Sequence, residues 1–283
     1  MGFLNSLRLR ARRALRSRAL RNLVLLLAAY TLLDALRVQR IITGATPPRE
    51  AIAKRPRKTQ KVYIAGMHYN DGALIKEHWN AAVLGLVDAL GRGNVFVSVL
   101  TDEGEVFDTV LFLNDVVFTA DDVLALLDTN GGLYAAACSL DFSEPPSYYD
   151  TFALRDSAGQ AHLMQTWPYF RSAKSRAAMM AYADAVPVRS CWNGIVAMPA
   201  APFLASEASG RRLRFRAVAD SLAEEKHLEG SECCLIHVDN PLTEHLGVWL
   251  NPRVRVGYDG DAYRWANPAE GSWVLVYNGW AHV

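Results

Sequence analysis

Residues able to do chemistry gather in three segments. TVLFL (109–113) reads as an apolar strand, and Asp115 stands two residues beyond it. In open α/β sheets ligands bind outside the carboxyl ends of the strands, so a carboxylate there can hold a hard cation against a diphosphate. The alternative for Asp115 is a strand-end turn or helix-lead residue. The loop MHYNDG follows the strand-like KVYIA (61–65) and offers Tyr69 for stacking on a base, with Asn70 and Asp71 for hydrogen bonds to a nucleoside. The third segment is EGSECCLIHVDN (229–240). Read as a strand, it puts His237 and Asp239 on one face, where an imidazole and a carboxylate could add ligands to the same cation. Glu229 and Glu232 lie near its start. A hydrogen-bonded turn at the HxD pair and a helix cap at Glu232 are the alternatives. There is no GxSxG, Walker A, HExxH or full GxGxxG, which weighs against hydrolase, nucleotide triphosphatase, zinc protease and dinucleotide oxidoreductase readings.

These residues need a scaffold, and hydrophobic periodicity supplies an α/β one. KVYIA, a helix-spaced run over 72–90 and NVFVSVL (94–100) make one βαβ unit. TVLFL follows, then a helix from about Ala120 to Leu127 with Thr119 as its N-cap and Asp121 and Asp122 in its first turn. LYAAAC (133–138), VRSCWNGIVAM (188–198), ECCLIHV (232–238) and VWLNPRVRVGY (248–258) read as further strands, whereas 143–187 reads as an aromatic-rich loop. The chain has 283 residues and is 51% apolar, ample for a core and incompatible with a disordered or collagenous chain.

The near-neutral total charge hides a division. The first 60 residues hold 14 Lys and Arg against two acids, and the other 223 hold 16 against 27. An acidic body is a poor nucleic-acid binder. In the leader, seven arginines between Arg8 and Arg21 precede NLVLLLAAYTLL (22–33). That order predicts a type II signal anchor with a cytoplasmic N-terminus. The span from Asn22 to Leu36 would rise roughly 22 Å as a helix, short of a roughly 30 Å hydrocarbon core, which tilt and arginine snorkelling can make up. A mitochondrial presequence, an N-myristoylated start (MGFLNS) and a buried core helix stay open. Residues 43–60 read as a polar, proline-bearing stem. Of the four cysteines, Cys138 and Cys191 lie in strand-like segments that could neighbour one another, and at most one of the adjacent Cys233 and Cys234 can share a face with a given partner, which predicts one disulfide and two buried thiols with the pairing left open.

As an ordered set over about residues 61–258, LFLNDVVF, YDTFALRD, SCWNGIVAM with APF after it, LRFR, HLEGSECCLIHVDNP and GVWLNPRVRVGY resemble the fungal alpha-1,3-mannosyltransferases of the cryptococcal capsule-associated type. The resemblance implies a retaining glycosyltransferase of GT-A-like, Rossmann-type nucleotide-sugar-binding fold. It further implies a single-pass Golgi membrane protein that takes GDP-mannose, a divalent cation (manganese or magnesium) and a glycan acceptor. NDV stands where other GT-A enzymes carry DxD, so Asn114 and Asp115 take that role, with Asp115 as cation ligand and His237 and Asp239 as supplementary ones. Trp192 and Asn193 fall near the acceptor sugar, and Glu232 is the candidate catalytic carboxylate. The implied organisation is a basic cytoplasmic tail (1–21), a signal-anchor helix (22–38), a stem (39–60) and a glycosyltransferase domain (61–283).

One segment departs from the family. Only TDEGEVFD (101–108) joins the strand ending at Leu100 to the one starting near Thr109, too short for an ordinary parallel crossover, and no Lys or Arg lies between Arg92 and Arg155. Family members carry a longer segment here, supplying basic groups near the diphosphate. The short connection, read either as divergence or as an exon skipped in the gene sequence, predicts impaired transfer by this chain. A non-catalytic lumenal protein that binds sugar nucleotides or glycans on the same fold is the alternative.

Overall fold

The structure, a computed structural model, describes residues 18–45, 60–66, 72–97, 107–204, 212–217 and 232–268. One mixed sheet of eight strands organises the body: β1 (Val62–Gly66), β2 (Val95–Val97), β3 (Thr109–Leu113), β4 (Ala136–Phe142), β5 (Arg155–Asp156), β6 (Val186–Ser190), β7 (Ile195–Pro199) and β8 (Val248–Gly257). Their spatial order is β2-β1-β3-β7-β4-β8-β6-β5. β1 is parallel to β2 and β3, and β4 to β8, while β7 runs antiparallel between β3 and β4. β2 and β3 are thus parallel without being neighbours, because β1 separates them.

Alternation along the strands sends side chains to two cores, as a pleat of period two requires. On one face Leu111, Leu113, Ala137, Ile195, Val254 and Val256 pack with α2 (Asn80–Leu90) and α3 (Ala120–Leu127). On the other, Cys138, Leu140, Val196 and Leu250 pack with Met179 of α4 (Ala173–Met180) and Ile236 of α6 (Glu232–Asp239). α2 continues an earlier turn (Gly72–Leu74) and a π-type turn (Ile75–Trp79), so the helix covers the expected 72–90. α3 starts where its capping signal places it: the Thr119 side chain accepts from Asp122 N at 3.3 Å, and the Asp122 carboxylate accepts from Thr119 N at 2.9 Å. Short helices α5 (Ala201–Leu204), α7 (Thr243–Leu246) and α8 (Gly260–Ala266) complete the body.

Three sequence expectations are corrected. ECCLIHV is helix α6: short apolar runs do not separate strand from buried helix by periodicity, and Glu232 in the first turn suits a helix start. VRSCWNGIVAM is two strands, β6 and β7, set apart in the sheet; Gly194 at φ +81° turns the chain between them. The expected loop 143–187 contains β5 and α4.

The leader forms helix α1 (Arg18–Ala45), with Leu23, Leu25, Leu26 and Leu33 exposed. Among the described residues no helix is long and apolar enough to cross a membrane.

Candidate functional site

β3, β4 and β8 end, and β7 begins, at one edge of the sheet. Asn114, directly after β3, is fastened there by its backbone N–H, which donates to Gly194 O at 2.9 Å. Its side-chain Oδ1 accepts from Trp192 Nε1 at 3.3 Å, and its side chain lies near enough to the Tyr258 hydroxyl to pull that phenol's pKa downward. Asn114 is therefore held in a protein network. Asp115 differs: its half-buried side chain makes no hydrogen bond or ion pair among the described residues.

The Cys191–Gly194 turn is held from several sides. Cys191 forms a disulfide with Cys138 of β4. Asn193 is fully buried; its Nδ2 donates to Asp141 Oδ1 at 2.9 Å and to Asp150 O at 3.0 Å. Ser139 Oγ donates to Asn193 O and accepts from Ile195 N at 3.1 Å. A Cβ on Gly194 would come within 2.6 Å of Val256 Cγ2 and 3.2 Å of Asp141 Cβ, so glycine is required by close approach as well as by its positive φ. Trp192 packs its ring on Phe112 and Phe215 at centroid distances of 5.2 and 5.6 Å.

Asp141, near the end of β4, is the hub that sequence reasoning missed. It is fully buried, and all its partners are neutral donors: Asn193 Nδ2 and Asp150 N (3.2 Å) on Oδ1, and the Tyr258 hydroxyl (3.2 Å) on Oδ2. Burial lifts its carboxyl to about 6, with the Asp150 charge adding to the rise and these hydrogen bonds opposing it. Burial, then the Asp141 charge, raises the Tyr258 phenol and keeps it protonated as a donor. Asp150 and Tyr258 were missed too, although YDTFALRD and GVWLNPRVRVGY contain them. The available signal was a carboxylate standing inside the otherwise apolar strand of LYAAACSLDF.

The remaining expected site residues are dispersed. Tyr69, Asn70 and Asp71 lie outside the described residues, as does Glu229. His237 and Asp239 do not share a face, because two helical residues differ by about 200°. His237 is buried with Nε2 2.8 Å from Cys191 O. A carbonyl only accepts, so Nε2 carries the proton and donates; the Cys191 N–H, 3.5 Å from the same atom, is then a contact and no second bond. Burial pushes this imidazole down to about 4, the bond to Cys191 opposing. Asp239 instead accepts from Nε and Nη2 of the Arg216 guanidinium, at 2.5 and 3.0 Å. Glu232 is exposed at the start of α6. The neighbouring Cys233 thiol is pushed up to about 12 by burial, then by the Glu232 and Asp150 charges, which brings this helix start near the Asp150 side of the network.

Among the described residues no group of three or more His, Cys, Asp or Glu side chains could hold a metal ion. A protein-caged cation does not fit; one carboxylate at a strand end fits a cation that arrives with phosphate oxygens and keeps several waters. A cavity of about 310 Å³ is lined by His78, Val117, Phe118, Thr119, Tyr263 and Arg264 among others; neither Asn114 nor Asp115 lines it.

A mixed α/β sheet with polar side chains gathered beyond its parallel strand ends is a ligand-binding architecture. The chain matches the family described as cryptococcal mannosyltransferase 1 over residues 61–105 and 100–239, more than half its length, and it belongs to that family. It is therefore a mannosyltransferase-related protein, with a sugar donor and a glycan acceptor as the partners the family implies. No curated protein matches it.

Proposed function

We propose that the chain binds GDP-mannose with a divalent cation at the end of β3, and that it descends from a retaining alpha-1,3-mannosyltransferase of GT-A-like fold. The observation that carries this reading is Asp115: a half-buried carboxylate with no hydrogen bond or ion pair among the described residues, next to an Asn114 that is held by Trp192 through its side chain and by Gly194 through its backbone. Asp115 would hold the cation, which supplies charge compensation for a departing diphosphate. Asn114 keeps the strand end in register with the Trp192–Asn193 turn, and Trp192 closes the acceptor side with its indole. Glu232 is the residue proposed to position the incoming hydroxyl. No protein nucleophile is needed if the leaving phosphate assists attack on the same face. The arginine-rich leader and apolar run support a membrane-anchored lumenal protein, and the Cys138–Cys191 bridge suits an oxidising compartment such as the Golgi lumen.

Transfer by this chain is expected to be weak. The family match divides at residues 100–105, where the connection is short, and no Lys or Arg from 93 to 154 can meet the diphosphate. That observation favours the binding-protein alternative over an efficient enzyme. Calorimetry with GDP-mannose and Mn²⁺ should detect binding to the unaltered chain and a loss of at least about 1.4 kcal/mol, tenfold, in Asp115→Ala with the melting temperature little changed. Equal binding by Asp115→Ala would place the site elsewhere, and rapid mannose transfer by the unaltered chain would refute the impaired reading.

A further inference from the structure

Among the described residues the buried Asp141 has no cationic partner, and an asparagine would keep the acceptor for Asn193 and the Asp150 N–H while giving up only the one that takes the Tyr258 hydroxyl. Its Oδ1 organises Asn193 and the Asp150 N–H, and its Oδ2 holds the Tyr258 hydroxyl, which lies beside the Asn114 side chain. Through Tyr258 it reaches the residue before Asp115, and through Asn193 it fixes the turn whose Trp192 grips Asn114 from the other side. Gly194 ties the two arms, because its carbonyl takes the Asn114 N–H while its α-carbon lies against the Asp141 side chain. A carboxylate in that position does two things that an amide cannot do together: it accepts every hydrogen bond offered, and it leaves a negative charge in a low-dielectric interior with no Lys or Arg bonded to it among the described residues.

We propose that Asp141 is a positioning residue for the Asp115 cation site, an outer carboxylate that aligns the ligand-bearing strand end and whose uncompensated charge favours a cation there. This rests on the reading of Asp115 given above. Groups that orient a metal ligand from behind cost about 10- to 100-fold in metal affinity when replaced. A purely structural role would make an isosteric change either harmless or destabilising. The role proposed here makes it harmful to cation binding while the fold stays intact.

The test is Mn²⁺ binding in the presence of GDP, followed by calorimetry, for the unaltered chain, Asp141→Asn and Tyr258→Phe, with amide exchange at Asn114 and Ile195 as the report on the strand end and the turn. Asp141→Asn is expected to keep both amides protected, to melt no lower than the unaltered chain and to bind Mn²⁺ about tenfold more weakly. Tyr258→Phe, which cuts the link from Asp141 to Asn114, should weaken binding several-fold in the same direction. Binding by both variants as tight as that of the unaltered chain would overturn this inference and leave the Asp115 site standing. No binding by the unaltered chain would overturn the site and the inference together. If Asp141→Asn loses amide protection or melts lower, its role is structural and the inference fails; Tyr258→Phe then still reports on the Asp115 site through its own affinity.

Discussion

Replacing Cys138 and Cys191 together by alanine is expected to lower the stability of the folded chain by about 4 kcal/mol and its melting temperature by on the order of 10 °C. The bridge spans a sequence separation of 53 residues, so in the chain-entropy account its removal frees a large loop in the unfolded state. Both cysteines are fully buried, one in β4 and the other at the head of the turn that leads into β7. Alanine avoids the added cost of a buried unpartnered hydroxyl that serine would bring. The bridge also joins the two segments whose side chains meet as Asp141 and Asn193, so its loss should loosen the site before the rest of the body melts. The same substitution at Cys233 or Cys234, half-buried thiols on α6 that take no part in the bridge, should have a much smaller effect. Thermal melts under non-reducing conditions decide it, and a double variant that melts with the unaltered chain would remove the bridge from the account.

The second large effect concerns the sign of a buried charge. Asp141 titrates near 6 when folded and near 3.8 when unfolded, so folding takes up a proton between those values. Its contribution is most favourable below about 3.8 and is lost as pH rises through about 6, leaving a cost on the order of 3 kcal/mol at neutral pH. Asp150 and Tyr258 face it directly and Tyr148 lies within range of its charge; Arg155 acts on Tyr148, while no cation is among the groups that shift Asp141. Asp141→Asn should therefore be more stable than the unaltered chain at pH 7.5, by up to about 3 kcal/mol, with the gain fading toward pH 4. His237 has the opposite slope: its folded value is pushed down to about 4, so stability is gained as pH climbs from 4 to about 6.5. In the unaltered chain the two slopes oppose each other between about 4 and 6; in Asp141→Asn the His237 slope stands alone. Denaturant titrations across that range would show a nearly flat curve for the former and a rising one for the latter. A variant less stable than the unaltered chain at pH 7.5 would contradict the assignment of Asp141 as a destabilising charge.

Local patterns carried much of this fold. The Thr119 cap, the 72–90 helix, β1 and β3 all rest on interactions between near neighbours or on unbroken apolar runs, and the sequence contains them; the pairing of Cys138 with Cys191 across 53 residues does not. The strand end bearing Asn114 and Asp115 was legible for the same reason. What could not be read is the network behind it. Asp141 meets Asn193 across 52 residues and Tyr258 across 117, and no spacing rule links them. The antiparallel insertion of β7 between β3 and β4 brings Gly194 against Asn114 and Asp141, and a one-dimensional reading of VRSCWNGIVAM as one strand hides it. The reading of EGSECCLIHVDN failed on conformation: a strand would align His237 with Asp239, and the helix turns one inward to Cys191 and the other out to Arg216.

The melting temperature of the unaltered chain with GDP-mannose and Mn²⁺, each alone and both together, tests the central claim most directly. A ligand present at 100 times its dissociation constant stabilises the native state by about 2.7 kcal/mol. At about 2 to 4 °C per kcal/mol for a body of this size, that is a rise of roughly 5 to 10 °C. The account predicts that rise with both ligands present, little with either alone, and none in Asp115→Ala. No shift with the pair, or the same shift in Asp115→Ala, would contradict it.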